Sequence, residues 1–319
     1  MKRLPFRCGG TLPIGELAVV RPEEQQLAAA LRAGEFCAVY APPQSGKSSL
    51  ALRAAEHLQH QGVRTATLDA FLVLLARKQQ PTKAAVYCDF ALALQEELRP
   101  GSVDEEAMVA RWHKTDSPDE LLAAFLRELR DTGPLALLLD EIDAFVLESP
   151  YAANFLAVVR AACGPGLGVC LLGFGLTPRR PPVALLDIRH EFLLGPLDRA
   201  ELAPLAAGLA GLGDPPDVLL DEVYRWTQGH AGSTGFLCNL LTIDEYRENR
   251  DRTEGAAARV ARLAENLTRL HRDILGLGRW SLSVPEKRLL PFDKAVLLRR
   301  WLRAQGAQGI HSSSGGSPF

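Results

Sequence analysis

The feature that most constrains the fold is an eight-residue loop, residues 41–48, with the sequence Ala-Pro-Pro-Gln-Ser-Gly-Lys-Ser. The apolar run before it, residues 36–40, predicts a buried strand, and residues 48–61 predict a helix that Gly62 caps. A strand, this loop and a helix form the P-loop pattern, here with alanine at the first glycine position. Backbone N–H groups in such a loop surround phosphate oxygens, and the helix dipole adds to the attraction. The alternative is a chance strand-to-helix turn with a solvated lysine.

Each residue type in the loop has a chemical role in phosphate binding. Gly46 allows close backbone approach, Lys47 places a positive charge beside the β and γ phosphates, and Ser48 offers its hydroxyl to Mg²⁺. Lys47 is therefore predicted to be catalytic as well as nucleotide-binding. The predicted nucleotide-binding residues of this segment are Ala41, Pro42, Pro43, Gln44, Ser45, Gly46, Lys47, Ser48 and Ser49.

An acidic motif follows the apolar run at residues 135–139 and consists of Asp140 and Glu141, with Asp143 shortly after. Several apolar residues followed by Asp-Glu form the Walker B pattern, and open α/β sheets bind ligands at the carboxyl ends of their strands. The pattern predicts that Asp140 holds Mg²⁺ together with Ser48, and that Glu141 polarises the attacking water as catalytic base. The alternative for Glu141 is a solvated helix N-cap, and Asp143 is interpreted as structural.

Short apolar runs alternate with helical patterns up to about residue 195. The predicted strands lie at residues 36–40, 65–68, 135–139, 169–172 and 191–194. The predicted helices between them lie at residues 48–61, 84–98, 117–130 and 150–162. Unbroken apolar strands separated by helices indicate a parallel sheet covered on both faces. The predicted fold class is α/β, a P-loop NTPase of ASCE type with five parallel strands and helices on both faces.

After residue 194 the pattern becomes helical. A capping box, Asp198-Arg199-Ala200-Glu201, predicts a helix towards Leu209. Further helices are predicted at residues 216–227, 233–241 and 254–275. The chain is therefore divided into an NTPase core (1–195), a helical lid (196–275) and a basic tail (276–319). The tail is interpreted as a partial winged helix with a Ser/Gly-rich, disordered end or a truncation scar.

Composition excludes several classes of protein. Hydrophobic residues make up 47% and charged residues 23%, as in soluble globular chains, and the net charge is only −2. From Pro285 onward six basic residues face two acidic ones, so the tail is basic and the rest acidic. No apolar run is long enough for a membrane span, and the start lacks the apolar region of a signal peptide. The six scattered cysteines predict reduced, buried thiols and a cytoplasmic protein.

Several segments resemble the bacterial AAA-like domain ATPases, which belong to the STAND branch of P-loop NTPases. The resemblance extends over about residues 8–275 and rests on the P-loop and on residues 9–13, 20–24, 31–36, 171–178, 195–197 and 228–230. It implies that ATP and Mg²⁺ bind between core and lid, with the lead-in near the adenine, and that the protein is a signalling ATPase. One departure is Ala231, which stands where the family's Gly-His-Pro segment has proline.

The resemblance also directs attention to residues outside the two motifs. Arg21 is predicted to bind nucleotide through the adenine or to contact the lid, with an ordinary charge at a helix start as the alternative. Thr177 or Arg179 could sense the γ-phosphate, with a solvated loop as the alternative. His190 opens a strand and is interpreted as a packed or surface residue. Aromatic side chains interpreted as packing residues are Tyr87, Phe90, Trp226 and Trp301.

The motifs favour an ATP-binding, slowly hydrolysing regulatory NTPase whose core and lid change orientation with nucleotide. Its expected partners are ATP, ADP and an unknown protein or further copies of the chain. One alternative is a DNA-associated ATPase that uses the basic helix predicted at residues 295–304, although the apolar side chains there favour packing. Another is a scaffold that binds nucleotide without turnover, and a small-molecule kinase is a weaker alternative.

Overall fold

A parallel sheet forms the centre of the structure, a computed structural model that describes residues 19–41, 44–75, 82–173, 188–245 and 253–275. The strands are β1 (Phe36–Tyr40), β2 (Arg64–Asp69), β3 (Leu135–Asp140), β4 (Leu167–Gly173) and β5 (His190–Leu193). Their order across the sheet is β2-β3-β4-β1-β5, and every pairing is parallel. The predicted α/β fold with five parallel strands is confirmed.

Helices pack on both faces of this sheet. They are α1 (Pro22–Arg32), α2 (Lys47–Gln59), α3 (Ala70–Leu75), α4 (Lys83–Leu98), α5 (Glu105–His113), α6 (Pro118–Asp131), α7 (Ile142–Glu148) and α8 (Ala152–Ala162). The sequence patterns missed α1, α3, α5 and α7. Helices α3 and α7 follow strands almost directly and have only six and seven residues, too few for a helical period to show, and α5 buries only Trp112. Ser117 occupies the N-cap of α6, but its side chain makes no capping bond.

The two faces of the sheet have separate apolar cores. On one face α4, α6 and α8 pack around an aromatic group in which the Phe155 ring lies 4.9 Å from Phe90 and 5.7 Å from Tyr87. Tyr87 and Phe90 are fully buried, which confirms the prediction that they are core residues. On the other face α1 and α2 cover β1, β3 and β4, mostly through alanine and leucine side chains. Packing on both faces explains why the three central strands β1, β3 and β4 are apolar almost throughout.

Strand order places the two predicted motifs at one edge. Strand β4 lies between β1 and β3, so the loop after β1 and the acidic pair after β3 flank the end of β4. Tyr40 is in register with Gly173, and Asp140 is in register with Asp69 at the end of β2. Because all strands are parallel, their carboxyl ends share the edge at which α/β sheets bind ligands.

A third apolar core lies in the region that follows β5. Its elements are a 3₁₀ segment (Ala203–Leu209) and helices α9 (Pro216–Thr227), α10 (Ala231–Glu245) and α11 (Ala256–Leu275). The predicted capping box forms, since Asp198 and Glu201 exchange two backbone-to-carboxylate hydrogen bonds of 2.7 Å. The helix expected there is a 3₁₀ segment instead, because Pro204 lacks an N–H and disfavours the α conformation before it.

Helix α11 is tied into this third core by a buried cation. Arg259 is fully buried and donates to the carbonyls of Leu212, at 2.8 Å, and Leu241, at 2.9 Å. Val260 and Leu263 are buried on the predicted apolar face of the same helix. The guanidinium therefore joins α10, α11 and the turn before α9.

Some sequence predictions concern residues outside the described ranges. These are Pro42, Pro43, Thr177, Arg179, Trp301, the lead-in at residues 9–13 and the tail at residues 276–319. Within the described ranges, none of the helices has both the length and the apolar character needed to cross a membrane.

Candidate nucleotide site

The described part of the predicted P-loop connects β1 to α2. Lys47 is the first residue of α2, is buried, and donates from Nζ to the carbonyl of Ala41 at 3.1 Å. Gly46 precedes it as N-cap with φ of 92°, a left-handed conformation that glycine adopts without strain. Ser45 and Ser49 are buried beside them. The lysine side chain thus folds back over the loop that the sequence predicts to hold phosphate.

Ser48 and Asp140 meet across the end of β4. The Ser48 hydroxyl donates to Asp140 Oδ2, and both side chains are half-buried. Hydroxyl and carboxylate oxygens are ligands of the kind that Mg²⁺ prefers. No cluster of three or more His, Cys, Asp and Glu side chains suited to a metal occurs in the described ranges. The pair therefore suits Mg²⁺ that keeps most of its ligands as water and phosphate oxygens.

Glu141 begins the turn from β3 into α7. Its φ is 56°, and its backbone N–H donates to Asp140 Oδ1 at 2.8 Å. It occupies the N-cap of α7, as the alternative interpretation expected. Its side chain, however, makes no capping hydrogen bond to the helix. Asp143 is buried in the first turn of α7, in agreement with a structural role. Together with burial and Glu191, its charge raises the pKa of Tyr40.

Backbone strain is concentrated around these motifs. In the described part of the chain, the non-glycine residues with positive φ are Gln44 (61°), Glu141 (56°) and Gln228 (49°). They lie in the P-loop, after β3 and before α10. Such conformations cost free energy and persist where surrounding contacts impose them, commonly at ligand sites. No composition or periodicity signal marked these three residues as strained.

Helix α10 approaches the P-loop directly, a contact that the sequence patterns did not predict. Gly232 donates its N–H to the Gln44 carbonyl at 2.8 Å. The preceding turn is held by Leu197, which donates to the Gly229 carbonyl at 2.9 Å. His230 Nδ1 lies 3.2 Å from the Ser233 N–H and accepts its hydrogen bond at the start of α10. The segment that resembles Gly-His-Pro therefore lies against the loop.

Arg21 reaches both the P-loop and the segment after β5. It is the N-cap of α1, and its buried guanidinium donates from Nη2 to the carbonyls of Ser45, at 3.4 Å, and Gly195, at 3.1 Å. Burial lowers the pKa of Arg21, and the carboxylates of Glu23 and Glu201 partly offset this effect. The structure thus joins Arg21 to the predicted site through backbone carbonyls.

Two other residues singled out in the sequence lie away from the P-loop contacts. His190 opens β5 as predicted, and its Nε2 contacts the Glu35 carboxylate. Trp226 is half-buried and packs against the third apolar core, as expected for a packing residue. Ala231, which departs from the family pattern, packs against the same core.

Part of the chain matches a known protein family, and most of it matches one curated relative. Residues 31–174 match the family model described as "AAA domain". An uncharacterized WD repeat-containing protein of Synechocystis sp. is 27% identical over 289 residues, which cover 83% of this chain and 23% of that protein. The chain therefore spans about a quarter of the length of this curated relative.

One solved structure shares the fold, and a second is similar at a lower score. A chain of the E. coli MS115-1 HORMA:CdnC:Trip13 complex superposes with a TM-score of 0.50 and 14% identity, over 75% of this chain and 77% of that chain. The FIGL-1 AAA domain in complex with ADP gives a TM-score of 0.49 and 12% identity, over 94% of this chain and 92% of that chain. At these identities the likeness concerns the fold alone.

Proposed function

With an AAA-like domain of P-loop NTPase fold as the premise, we propose that this chain binds ATP with Mg²⁺ and hydrolyses it slowly. The observation that carries the proposal is the contact between Ser48 and Asp140, formed beside the buried Lys47. A serine hydroxyl, a carboxylate and a lysine at one edge of a parallel sheet supply the groups that phosphoryl transfer needs.

Different residues bind the phosphates, hold Mg²⁺ and accept the proton in this proposal. Lys47 exchanges its hydrogen bond to Ala41 for the β and γ phosphates, and the N–H groups at the start of α2 hold phosphate oxygens. Ser48 and Asp140 hold Mg²⁺, which neutralises charge on the phosphates when it is bound. Glu141 accepts a proton from the attacking water, since it directly follows Asp140 and is half-buried at the carboxyl end of β3.

The adenine is proposed to contact Val20. This side chain is 69% exposed although Val19 and Arg21 on either side are buried. An exposed valine one residue from Arg21, which contacts the P-loop, offers an apolar surface to a base. Replacing Val20 by serine is expected to weaken ATP binding and to leave binding of inorganic triphosphate unchanged.

We further propose that residues 1–195 act as the core, residues 196–275 as a lid and residues 276–319 as a tail. The hydrogen bond between Gln44 and Gly232 supports this division, because a change in the conformation of the P-loop must change the position of the first turn of α10. A signalling role with a protein partner or self-assembly follows if lid orientation exposes a binding surface. Light scattering with ADP and with a non-hydrolysable ATP analogue tests self-assembly through a change in mass.

Calorimetric titration of the full chain with ATP and Mg²⁺ tests binding. Loss of the Lys47 charge in Lys47→Met is expected to raise the Kd at least about tenfold, equivalent to about 1.4 kcal/mol. Lys114→Met is the matched control, since Lys114 is an exposed lysine at the end of α5. Equal affinity in both variants, or no binding by the unmodified chain, would refute the proposal.

A separate measurement tests the catalytic step. Glu141→Gln keeps the shape of the side chain and removes the base, so it is expected to bind ATP normally and to lose turnover by about 10²-fold or more. Unchanged turnover would show that Glu141 is not the base. Binding without turnover by the unmodified chain would instead favour the nucleotide-binding scaffold.

A further inference from the structure

A row of buried charges attaches α1 to α2 next to the P-loop. Glu24 Oε1 accepts the Arg21 backbone N–H at 2.8 Å and pairs with Arg53 Nη2 of α2 at 3.0 Å. Arg21, Glu24 and Arg53 are all at least nine-tenths buried. Among the described residues, Arg53 Nε and Nη1 have no hydrogen-bond partner. The Glu24 carboxylate therefore links the start of α1 to α2, and each of these segments carries a buried arginine.

This arrangement is costly for stability alone. Burial of charged groups carries a desolvation penalty that one ion pair rarely repays, and apolar residues of similar volume often serve as well. What the charges do provide is a fixed orientation, because α1 cannot rotate on α2 without breaking the pair between Glu24 and Arg53. With α1 in that orientation, the Arg21 guanidinium donates to the carbonyls of Ser45 and Gly195.

The Ser45 carbonyl moves whenever the peptide between Ser45 and Gly46 in the P-loop rotates. It belongs to the same planar peptide as the Gly46 N–H, directly before the first turn of α2. A phosphate that draws this N–H towards itself must rotate the whole peptide and so move the carbonyl that Arg21 binds. The other carbonyl, at Gly195, begins the connection from β5 to the helical region.

We propose that Arg21 is a positioning residue that couples the Ser45–Gly46 peptide of the P-loop to the start of the lid at Gly195. Glu24 and Arg53 keep α1 fixed so that the guanidinium bridges both carbonyls. Arg21 then acts without touching nucleotide, which differs from its predicted role in binding. The inference rests on the proposed function, since it needs a nucleotide in the P-loop and a mobile lid.

The test compares two quantities in the full chain. One is the Kd for a non-hydrolysable ATP analogue, and the other is the change in hydrogen exchange that this analogue causes in peptides from residues 196–212. Arg21→Met keeps the length of the side chain and removes the charge and donors. Arg32→Met is the matched control, because Arg32 lies on the same helix, is exposed and donates to the side chain of Gln61.

The expected result is a split between the two quantities. In Arg21→Met the Kd stays within about threefold of the unmodified chain, whereas the exchange response falls at least about fivefold, the lower bound of typical coupling. Arg32→Met leaves both unchanged. A Kd raised as far as in Lys47→Met would make Arg21 a nucleotide ligand, and an undiminished exchange response would make it merely structural. Either result overturns the inference.

Two further measurements keep the outcomes distinct. If Arg21→Met does not unfold cooperatively, Arg21→Lys replaces it, because a lysine keeps the charge but not the planar guanidinium whose Nη2 donates to both carbonyls. Its exchange response is expected to fall at least about twofold at unchanged Kd, and a response equal to that of the unmodified chain overturns the inference. Failure of the unmodified chain to bind the analogue refutes the proposed function itself.

Discussion

Replacing Gly232 by alanine tests whether α10 is seated on the P-loop. An alanine Cβ at this position would lie 2.5 Å from Gln44 Cβ and 2.9 Å from the Gln44 carbonyl oxygen. Carbon atoms in contact prefer about 3.5–4.0 Å, so the first turn of α10 must retreat by about 1 Å. That movement stretches the 2.8 Å hydrogen bond between Gly232 and Gln44 beyond bonding distance.

The free-energy change follows from two opposing effects. Loss of the hydrogen bond costs about 1 kcal/mol, and overpacking costs about 1–3 kcal/mol. Alanine is the better helix former by up to about 1 kcal/mol, but this gain applies to helix interiors and Gly232 lies in the first turn. The contact between α10 and the P-loop is therefore expected to weaken by about 2–4 kcal/mol.

Thermal unfolding and hydrogen exchange measure this loss. A chain of this size should melt about 2–6 °C lower, and exchange at the start of α10 should accelerate. Gly255→Ala is the matched control, because a Cβ there meets nothing within 4 Å and the residue precedes α11. A Gly232→Ala variant that melts at or above the unmodified chain, with exchange in α10 unchanged, would refute the packing argument.

The remaining predictions concern buried ionisable groups. Burial raises the pKa of Cys37 and of Cys238 to about 12, so neither thiol should react with a disulfide reagent at pH 8 until the chain unfolds. Thiols of the unfolded chain ionise near pH 8.5, whereas the buried thiols of the folded chain stay neutral up to about pH 12. The stability that burial of the neutral thiols provides is therefore complete below about pH 8.5 and is lost as the pH rises towards 12. Urea unfolding should show a loss of about 1.4 kcal/mol per pH unit for each thiol, and a rise in stability above pH 9 would contradict it. Arg259→Met removes the two charged hydrogen bonds to the Leu212 and Leu241 carbonyls and should cost about 2–4 kcal/mol in urea unfolding, and a cost under about 0.5 kcal/mol would show that the buried cation is dispensable.

The sheet and the two motifs could be predicted because local pattern controls them. Unbroken apolar runs at β1, β3 and β4 signal strands buried on both faces, and all three were located to within two residues. Helix α9 was predicted with its observed bounds, since proline opens it and its apolar face is regular. Helices α3 and α7 were missed because they have only six and seven residues, too few for a helical period to show.

The arrangement within the site could not be predicted from local pattern. Ser48 and Asp140 are far apart in the chain, and only the strand order, with β4 between β1 and β3, brings them together. The contact between Gly232 and Gln44 depends on how the helical region folds back on the core. The positive φ values at Gln44, Glu141 and Gln228 could not be predicted either, since none of the three residue types favours a positive φ as glycine does.

What the sequence determined by itself is the phosphate-binding loop, the acidic pair and the α/β class, because each follows from residue type and spacing along a few consecutive residues. What only the tertiary structure decided is the role of Arg21. From the sequence, a contact with the adenine or the lid and an ordinary charge at a helix start were both open, whereas in the fold its guanidinium donates to the carbonyls of Ser45 and Gly195. The physical reason is that a hydrogen bond depends on distance in space, and strand order and helix packing set the distances between residues remote in the chain.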